Sequence, residues 1–455
     1  MLQAGDTWIT AHCAQTCRCG EGAQIQCDPY SCEAGSICTL NNKGQFRCKP
    51  TGFSRCSVNG DPHYYTFDGL LHHFQGNKTY TLVRTSDLPQ NLPAFHIAGR
   101  NEPVKENKKL TNLWELRVEV YNHTVRLQQK RTVLLDGERV FPPAFPHDGL
   151  RVTLRSSRLF LETDFGLSVA FDGAENADIT LPNTYKKRVG GLCGDFDGKY
   201  KNDFRKPDGT RVTDVNEFGE SWNDQKSALI ISRPRAAPEE HADDPELNTG
   251  SITECAMQIS VITSSLYCGA ISDPLGPFQP CHHAIPPEVY QTNCVFDQCS
   301  LFNDTGMLCS SLEQYALACQ ERGIALGNWR ERTPCERRCP VNSQYRACAT
   351  ACPASCGDLA APWDCEAPCL EGCECLPGFV LSGLDCVPYK ECGCLYQNMY
   401  YKAGESFITV DCTQNCTCTH TSVHCVPMQC ATNQICTTAS FVRGCYSGLQ
   451  GNDLL

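Results

Sequence analysis

The 455 residues carry 35 cysteines and a formal net charge of −12. That cysteine content excludes an ordinary cytosolic protein, whose thiols stay reduced, and the acidic balance excludes nucleic acid and anionic membrane surfaces as partners. The cysteine spacings are irregular and histidines fall out of register with them, which excludes a zinc-finger array. Paired disulfides formed in an oxidising compartment remain.

In chain order the cysteines fall into blocks of seven, two, eight, ten and eight. The first block, residues 1–50, holds Cys13, Cys17, Cys19, Cys27, Cys32, Cys38 and Cys48. Its spacing is repeated almost residue for residue by Cys412, Cys416, Cys418, Cys425, Cys430, Cys436 and Cys445. The flanks agree: Thr7-Trp8-Ile9-Thr10 matches Ser406-Phe407-Ile408-Thr409, and Ile37-Cys38-Thr39 matches Ile435-Cys436-Thr437. A small domain therefore recurs, and what lies between is one unit of a tandem array. The second copy has a further leading cysteine, Cys394, whose counterpart would fall ahead of Met1. The odd sulfur of the first copy is thus expected to be a truncation scar, with a free or interchain thiol as the rival reading. Met1 to Asp6 offers no basic n-region and no apolar h-region, so the expectation is a fragment or variant of a longer secreted protein.

Residues 56–223 have a different texture, with Cys56 and Cys193 alone among 168 positions of strand-like sequence. Short apolar runs at Thr79–Val83, Leu116–Val120, Val133–Leu135, Val152–Leu154, Leu159–Leu161 and Leu167–Phe171 predict strands. Asp136-Gly137 predicts a tight hairpin turn. The segment reads as an all-β sandwich able to bury its own core, and its two cysteines are expected to pair with each other. Residues 224–254 are rich in Pro, Ala and acids and read as a linker. Residues 255–335 hold eight cysteines and a helical pattern at Ser311–Cys319, predicting a small, mostly α, bridged domain. Residues 339–392 hold ten cysteines with almost no apolar periodicity, so that segment must depend on its bridges. Residues 394–455 form the second copy of the small module. The fold class expected is multidomain: a β sandwich, a small α domain and disulfide-rich loop and β modules.

Asn77, Asn122, Asn303 and Asn415 each begin an Asn-x-Thr glycosylation sequon, which fits transit through the secretory pathway. No stretch is long and apolar enough for a membrane span.

Three motifs carry a family resemblance: Gly60-Asp61-Pro62-His63-Tyr64 with Thr66-Phe67-Asp68-Gly69; Gly191-Leu192-Cys193-Gly194-Asp195-Phe196-Asp197-Gly198; and Phe218-Gly219-Glu220-Ser221-Trp222. Together they resemble the signature of von Willebrand factor type D glycoproteins. The resemblance implies that 56–223 is a type D domain, 255–335 an eight-cysteine domain and 339–392 a trypsin-inhibitor-like domain. It makes 1–50 and 394–455 E-type cysteine modules, the first of them truncated. The implied setting is secreted, in extracellular matrix or mucus. The implied role is structural or adhesive rather than enzymatic, with other extracellular glycoproteins or copies of the same repeat as partners.

Asp195, Asp197, Asn202 and Asp203 pack three carboxylates and an amide into nine residues, a donor set suited to Ca²⁺. The resemblance extends this set to the carbonyl of Lys199 and the carboxylate of Asp68, as a structural calcium site. The rival is a metal-free turn balanced by Lys199 and Lys201.

At Asp61-Pro62 an aspartyl carboxyl can attack its own carbonyl, since the proline nitrogen leaves readily once protonated and His63 stands next to it. The resemblance implies self-cleavage here in some relatives, with a plain strand-edge turn as the alternative. Cys-Gly-Leu-Cys, the thiol–disulfide motif of assembling relatives, appears here as Gly190-Gly191-Leu192-Cys193. Without the first cysteine no oxidoreductase is expected. A protease-inhibitor role would use the loop Cys365-Glu366-Ala367-Pro368-Cys369, where proline after the scissile bond disfavours it.

Overall fold

The computed structural model describes residues 6–20, 24–32, 36–40, 45–60, 62–90, 92–104, 110–224, 258–300, 304–363, 365, 367–420 and 422–447. Asp61, Asn303, Glu366 and nearly all of the expected linker lie outside the described residues.

Residues 53–224 build an antiparallel sheet path that folds back on itself around one apolar core. From Thr79–Thr85 the chain meanders strand by strand to Ala177–Pro182, which pairs with the early strand Phe53–Asn59. Alternation explains the layering: Leu116, Val118 and Val120 of Thr111–Val120 point into the core with Val125 and Leu127 of the next strand. Leu159, Leu161, Val169, Phe171 and Ile179 line the facing layer. At the predicted hairpin Asp136 and Gly137 have φ of 50° and 89°, the paired positive values a type I′ turn requires. The strand Glu138–His147 belongs to both layers, pairing early with Thr132–Leu135 and late with Leu150–Arg155. Inside this fold Asp178 sits between Arg55 and Arg158. Burial alone would raise its pKa, but the two guanidiniums bring it down to about 2.

The eight-cysteine region forms helices Glu288–Ser300 and Thr305–Glu321. Asp304 accepts a hydrogen bond from the Met307 amide (3.1 Å) and caps the second helix, so it starts a turn earlier than its apolar pattern. Bridges Cys268–Cys294, Cys281–Cys319 and Cys309–Cys335 surround a core of Phe278, Tyr315 and Trp329. Residues 339–392 are two hairpins held by Cys339–Cys373, Cys348–Cys369, Cys352–Cys365, Cys356–Cys392 and Cys375–Cys386.

The two small modules repeat in structure as in sequence. Cys13–Cys38, Cys17–Cys27 and Cys32–Cys48 correspond to Cys412–Cys436, Cys416–Cys425 and Cys430–Cys445. Cys394 bonds Cys418, and Cys19, which occupies the place of Cys418 in the first copy, is the free cysteine among the described residues. The spatial groupings Cys13, Cys32, Cys48 and Cys412, Cys430, Cys445 have the look of metal sites, but every sulfur in them is in a disulfide.

The domains pack against one another, which their sequences do not announce. Met399–Tyr401 of the last module adds itself to strand Glu138–His147, with Phe141 opposite Tyr400, and Arg443 pairs with Glu138. Phe160 and Ala170 of the sheet meet Leu317 and Leu370 in a small shared core. Arg330, buried, is held by Glu313 (2.9 Å) of its own domain and Glu371 (2.7 Å) of the next. A buried cation flanked by two carboxylates is costly to break, since removing it leaves uncompensated charge. No helix among the described residues is long and apolar enough to cross a membrane.

Candidate functional site

Asp68 lies in the turn between strands His63–Tyr65 and Leu71–His73, and the loop 194–203 folds over it. Asp68 accepts hydrogen bonds from the amides of Asp197 (2.8 Å) and Gly198 (2.9 Å), tying the turn to the loop. Phe67 N–H donates to the Cys193 carbonyl (3.1 Å), and Cys193 is bridged to Cys56, so the disulfide and the loop share one frame. Gly194 has φ of 82°, and a Cβ there would stand 2.6 Å from the Asp203 carboxylate. Only glycine lets that acid come so close.

Carboxylate oxygens of Asp68, Asp195 and Asp197 lie within 4.8 Å of one another. One oxygen each of Asp195, Asp197 and Asp203 is buried with no hydrogen-bond donor. Burial first, and the neighbouring charges second, push the Asp203 carboxyl up to about 7; burial and Asp197 raise Asp195 as well. Acids crowded this way lack positive charge, and hard oxygens converging from two distant segments fit Ca²⁺. Asp203 also accepts from the Thr66 hydroxyl (2.5 Å). Asn202, buried, turns its amide N–H toward Asp195 (3.0 Å) and Asp197 (3.2 Å), and a half-turn of that amide would present its oxygen instead. The Lys199 carbonyl accepts from the Asn202 amide (3.1 Å). The side chain of Lys199 is exposed, while Lys201 lies over the Tyr200 ring. Among the described residues, the cation at ion-pair distance from this cluster is Arg205, 3.2 Å from Asp195, which the motif did not single out. Its partial neutralisation leaves the donorless oxygens of Asp197 and Asp203 unanswered.

Gly60, Pro62 and His63 lie at the other end of the same strands, and Pro62 and His63 are buried. His63 Nε2 is 2.6 Å from Asp297 Oδ1, and His63 Nδ1 is 2.5 Å from His73 Nδ1. Asp297 belongs to helix Glu288–Ser300 of the eight-cysteine domain, so this contact crosses a domain seam. Nothing in the local sequence signals it, because 234 residues separate the partners. In the second motif Gly190 packs against Trp222, where a Cβ would sit 3.1 Å from the indole, and Cys193 is committed to Cys56. Asn77, Asn122 and Asn415 are exposed, Asn122 in a hairpin turn with φ of 62°. Ala367 and Pro368 of the inhibitor-type loop are exposed between Cys348–Cys369 and Cys352–Cys365.

The chain matches the von Willebrand factor type D domain over residues 56–210, the C8 domain over 267–336 and the trypsin inhibitor like cysteine rich domain over 339–392. Residues 1–49 and 393–446 match the TILa domain. Zonadhesin of Sus scrofa is 41% identical over 98% of the chain, which spans 18% of that protein. Alpha-tectorin of Homo sapiens is 34% identical over 98% of the chain and 20% of its own length. The IgGFc-binding protein of Homo sapiens is 34% identical over 97% of the chain and 8% of its own length. The chain thus spans a fifth or less of each of these relatives. Module order, disulfide framework and near-complete coverage agree: the chain belongs to the extracellular glycoproteins built from von Willebrand factor type D modules.

Proposed function

We propose that the chain is a structural and adhesive unit of a matrix- or mucus-type glycoprotein, holding surfaces for other extracellular glycoproteins or for copies of the same repeat. The observation that carries this reading is the packing of dissimilar modules into one body. The shared core at Leu317 and Leu370, the buried Arg330 and the added strand Met399–Tyr401 suit a part that transmits load and displays surfaces. Calcium, held by Asp68, Asp195, Asp197, Asn202, Asp203 and the Lys199 carbonyl, would supply the positive charge that the donorless oxygens lack. Its role is structural. It would fasten the Asp68 turn to the late loop beside Cys56–Cys193.

Hydrolysis at Asp61–Pro62 is a maturation step in this reading, not turnover of a substrate. Cys56 precedes the bond and Cys193 follows it, so the two pieces stay joined. Strand Phe53–Asn59 also remains paired to Ala177–Pro182. Protease inhibition is the rival role. It would rest on the exposed loop at Ala367 and Pro368, and proteases cut poorly before proline.

Recombinant chain secreted from mammalian cells, immobilised and probed with itself and with purified matrix and mucus glycoproteins, tests the adhesive role. Saturable binding that needs the folded chain is expected. No association with any of them at high micromolar concentration, together with tight inhibition of trypsin, chymotrypsin or elastase, would replace this reading with the rival.

A further inference from the structure

Three modules close around one cavity of about 650 Å³, separate from the acidic loop. Its floor is strand Leu150–Arg155. Alternation sends Leu150 and Val152 into the core, each 1% exposed, and leaves Arg151, Thr153 and Arg155 on the opposite face, lining the cavity. The first small module supplies a wall through its hairpin Ser36–Leu40 and Phe46–Pro50. There Thr39 stands opposite Arg47, and Lys49 follows two residues on, on the same face of the strand. The ten-cysteine segment closes the third side with Ser355 and Asp358.

The charges do not cancel. Arg47, Lys49, Arg151 and Arg155 line the cavity against the carboxylates of Glu162 and Asp358. Arg151 and Arg155 both pair with the same Glu162, Arg151 at 2.8 Å. Asp358 is turned to its own chain, accepting from the Ala360 amide (3.1 Å). Arg47 and Lys49 are exposed and form no ion pair among the described residues. The Thr153 hydroxyl has no hydrogen-bond partner among them either. The chain as a whole carries −12, but exposed charges beyond a Debye length of about 8 Å are largely screened. A ligand in the cavity therefore meets the local excess of cations.

We infer that this cavity binds a linear sulfated polysaccharide, its sulfates held by the cations of the sheet floor and of the first module's wall. The inference rests on the adhesive reading above and gives that reading a partner of stated chemistry. Spacing favours a string of anions over a single one: Arg47 and Lys49 lie about 7 Å apart along their strand, and Arg151 and Arg155 about 13 Å. Sulfate oxygens suit the guanidinium fork as phosphate oxygens do. The hydroxyls of Thr39, Thr153 and Ser355 match those of a sugar chain. An acidic peptide is served less well, because strand Leu150–Arg155 is paired on both sides and offers no free edge to which an extended peptide could add.

The test uses the full secreted chain, a size-defined heparin hexasaccharide, the same hexasaccharide desulfated, and a glutamate peptide of equal charge, with affinity read by calorimetric titration. The sulfated probe is expected to bind, more weakly as salt rises, and the desulfated one not to bind. Arg47→Ala with Lys49→Ala should weaken binding roughly ten- to a hundredfold. Arg338→Ala with Lys390→Ala, an equal loss of exposed charge outside the cavity, should change it less than twofold. Bound hexasaccharide should also protect Lys49, and not Lys390, from acetylation in the unaltered chain, a readout that needs no variant to fold. Equal weakening by the two double variants, or no protection of Lys49, would overturn the assignment to this cavity. Binding of the glutamate peptide as tight as that of the hexasaccharide would overturn the sulfated polysaccharide as the ligand. No binding of the sulfated probe at millimolar concentration would overturn the inference alone if the chain still binds matrix or mucus glycoproteins; if it binds none of these, the adhesive reading falls with it.

Discussion

The type D sheet and the ten-cysteine segment solve the same stability problem in opposite ways. The sheet buries a continuous core in which Leu116, Val118, Leu159, Leu161, Val169 and Ile179 are all inaccessible to solvent, and it carries one disulfide. Residues 339–392 bury few apolar side chains, chiefly Ala349, Ala351 and Leu370, and carry five. A chain long enough to enclose a core can rely on burial; a segment of that size without one must restrict its unfolded state instead. The contrast teaches that cysteine density along this chain is an inverse map of hydrophobic burial.

The contrast breaks most sharply on removal of Cys339–Cys373. Replacing both residues by serine is expected to abolish order in 339–392 at body temperature, read as new protease sensitivity there while the sheet keeps its hydrogen-exchange protection. Replacing Cys56 and Cys193 by alanine is expected to lower the stability of the sheet by up to about 5 kcal/mol on the chain-entropy model. The strands should still form, as far-ultraviolet circular dichroism would report. Collapse of the sheet in that variant would mean that its core is not self-sufficient.

Leu161→Ala, in the middle of the core, should cost about 3 kcal/mol, read as a lower urea midpoint with unchanged slope. A matching loss from an apolar truncation confined to 339–392, such as Ala351→Gly, would blur the distinction.

His72 sharpens it further. Its Nε2–H donates to the Leu192 carbonyl (2.9 Å) and its Nδ1 is buried without a partner, so a second proton has nowhere to bond. Burial holds its pKa down to about 4. The unfolded chain takes up that proton near pH 6.5, and the folded one only near 4. The sheet should therefore lose stability as pH falls between these values, by about 3 kcal/mol from this group. His72→Gln should flatten that part of the pH–stability curve. The ten-cysteine segment has no histidine and should not show it.

The smallest expected effect is that of calcium removal. Chelation should lower the melting temperature of the sheet domain by a few degrees, equivalent to about 1–2 kcal/mol at modest saturation. Asp197→Ala should remove the calcium dependence, as measured by calorimetric titration, and leave 339–392 unaffected.

Much of this was readable from the residues. Strands from Thr79 to Phe171 followed from alternation, the hairpin at Asp136 and Gly137 from its dipeptide, and the helix around Ser311–Cys319 from its period. The boundary at Thr305 was not, because Asp304 acts through a side-chain cap outside the apolar pattern. The acidic loop was legible as a cluster, since its members are near neighbours. Arg205 was missed because one cation two residues beyond Asp203 has no spacing rule to mark it.

Local order, then, is what the amino-acid string determined by itself: side-chain periodicity sets strand and helix, cysteine counts set the bridged modules, and duplicated spacing sets the repeat. Tertiary structure alone decided who meets whom across the chain. It brought Asp297 to His63, Glu371 to Arg330 and Tyr400 to Phe141. Those meetings depend on how whole surfaces dock, a sum over many weak contacts that leaves no pattern in the neighbouring residues.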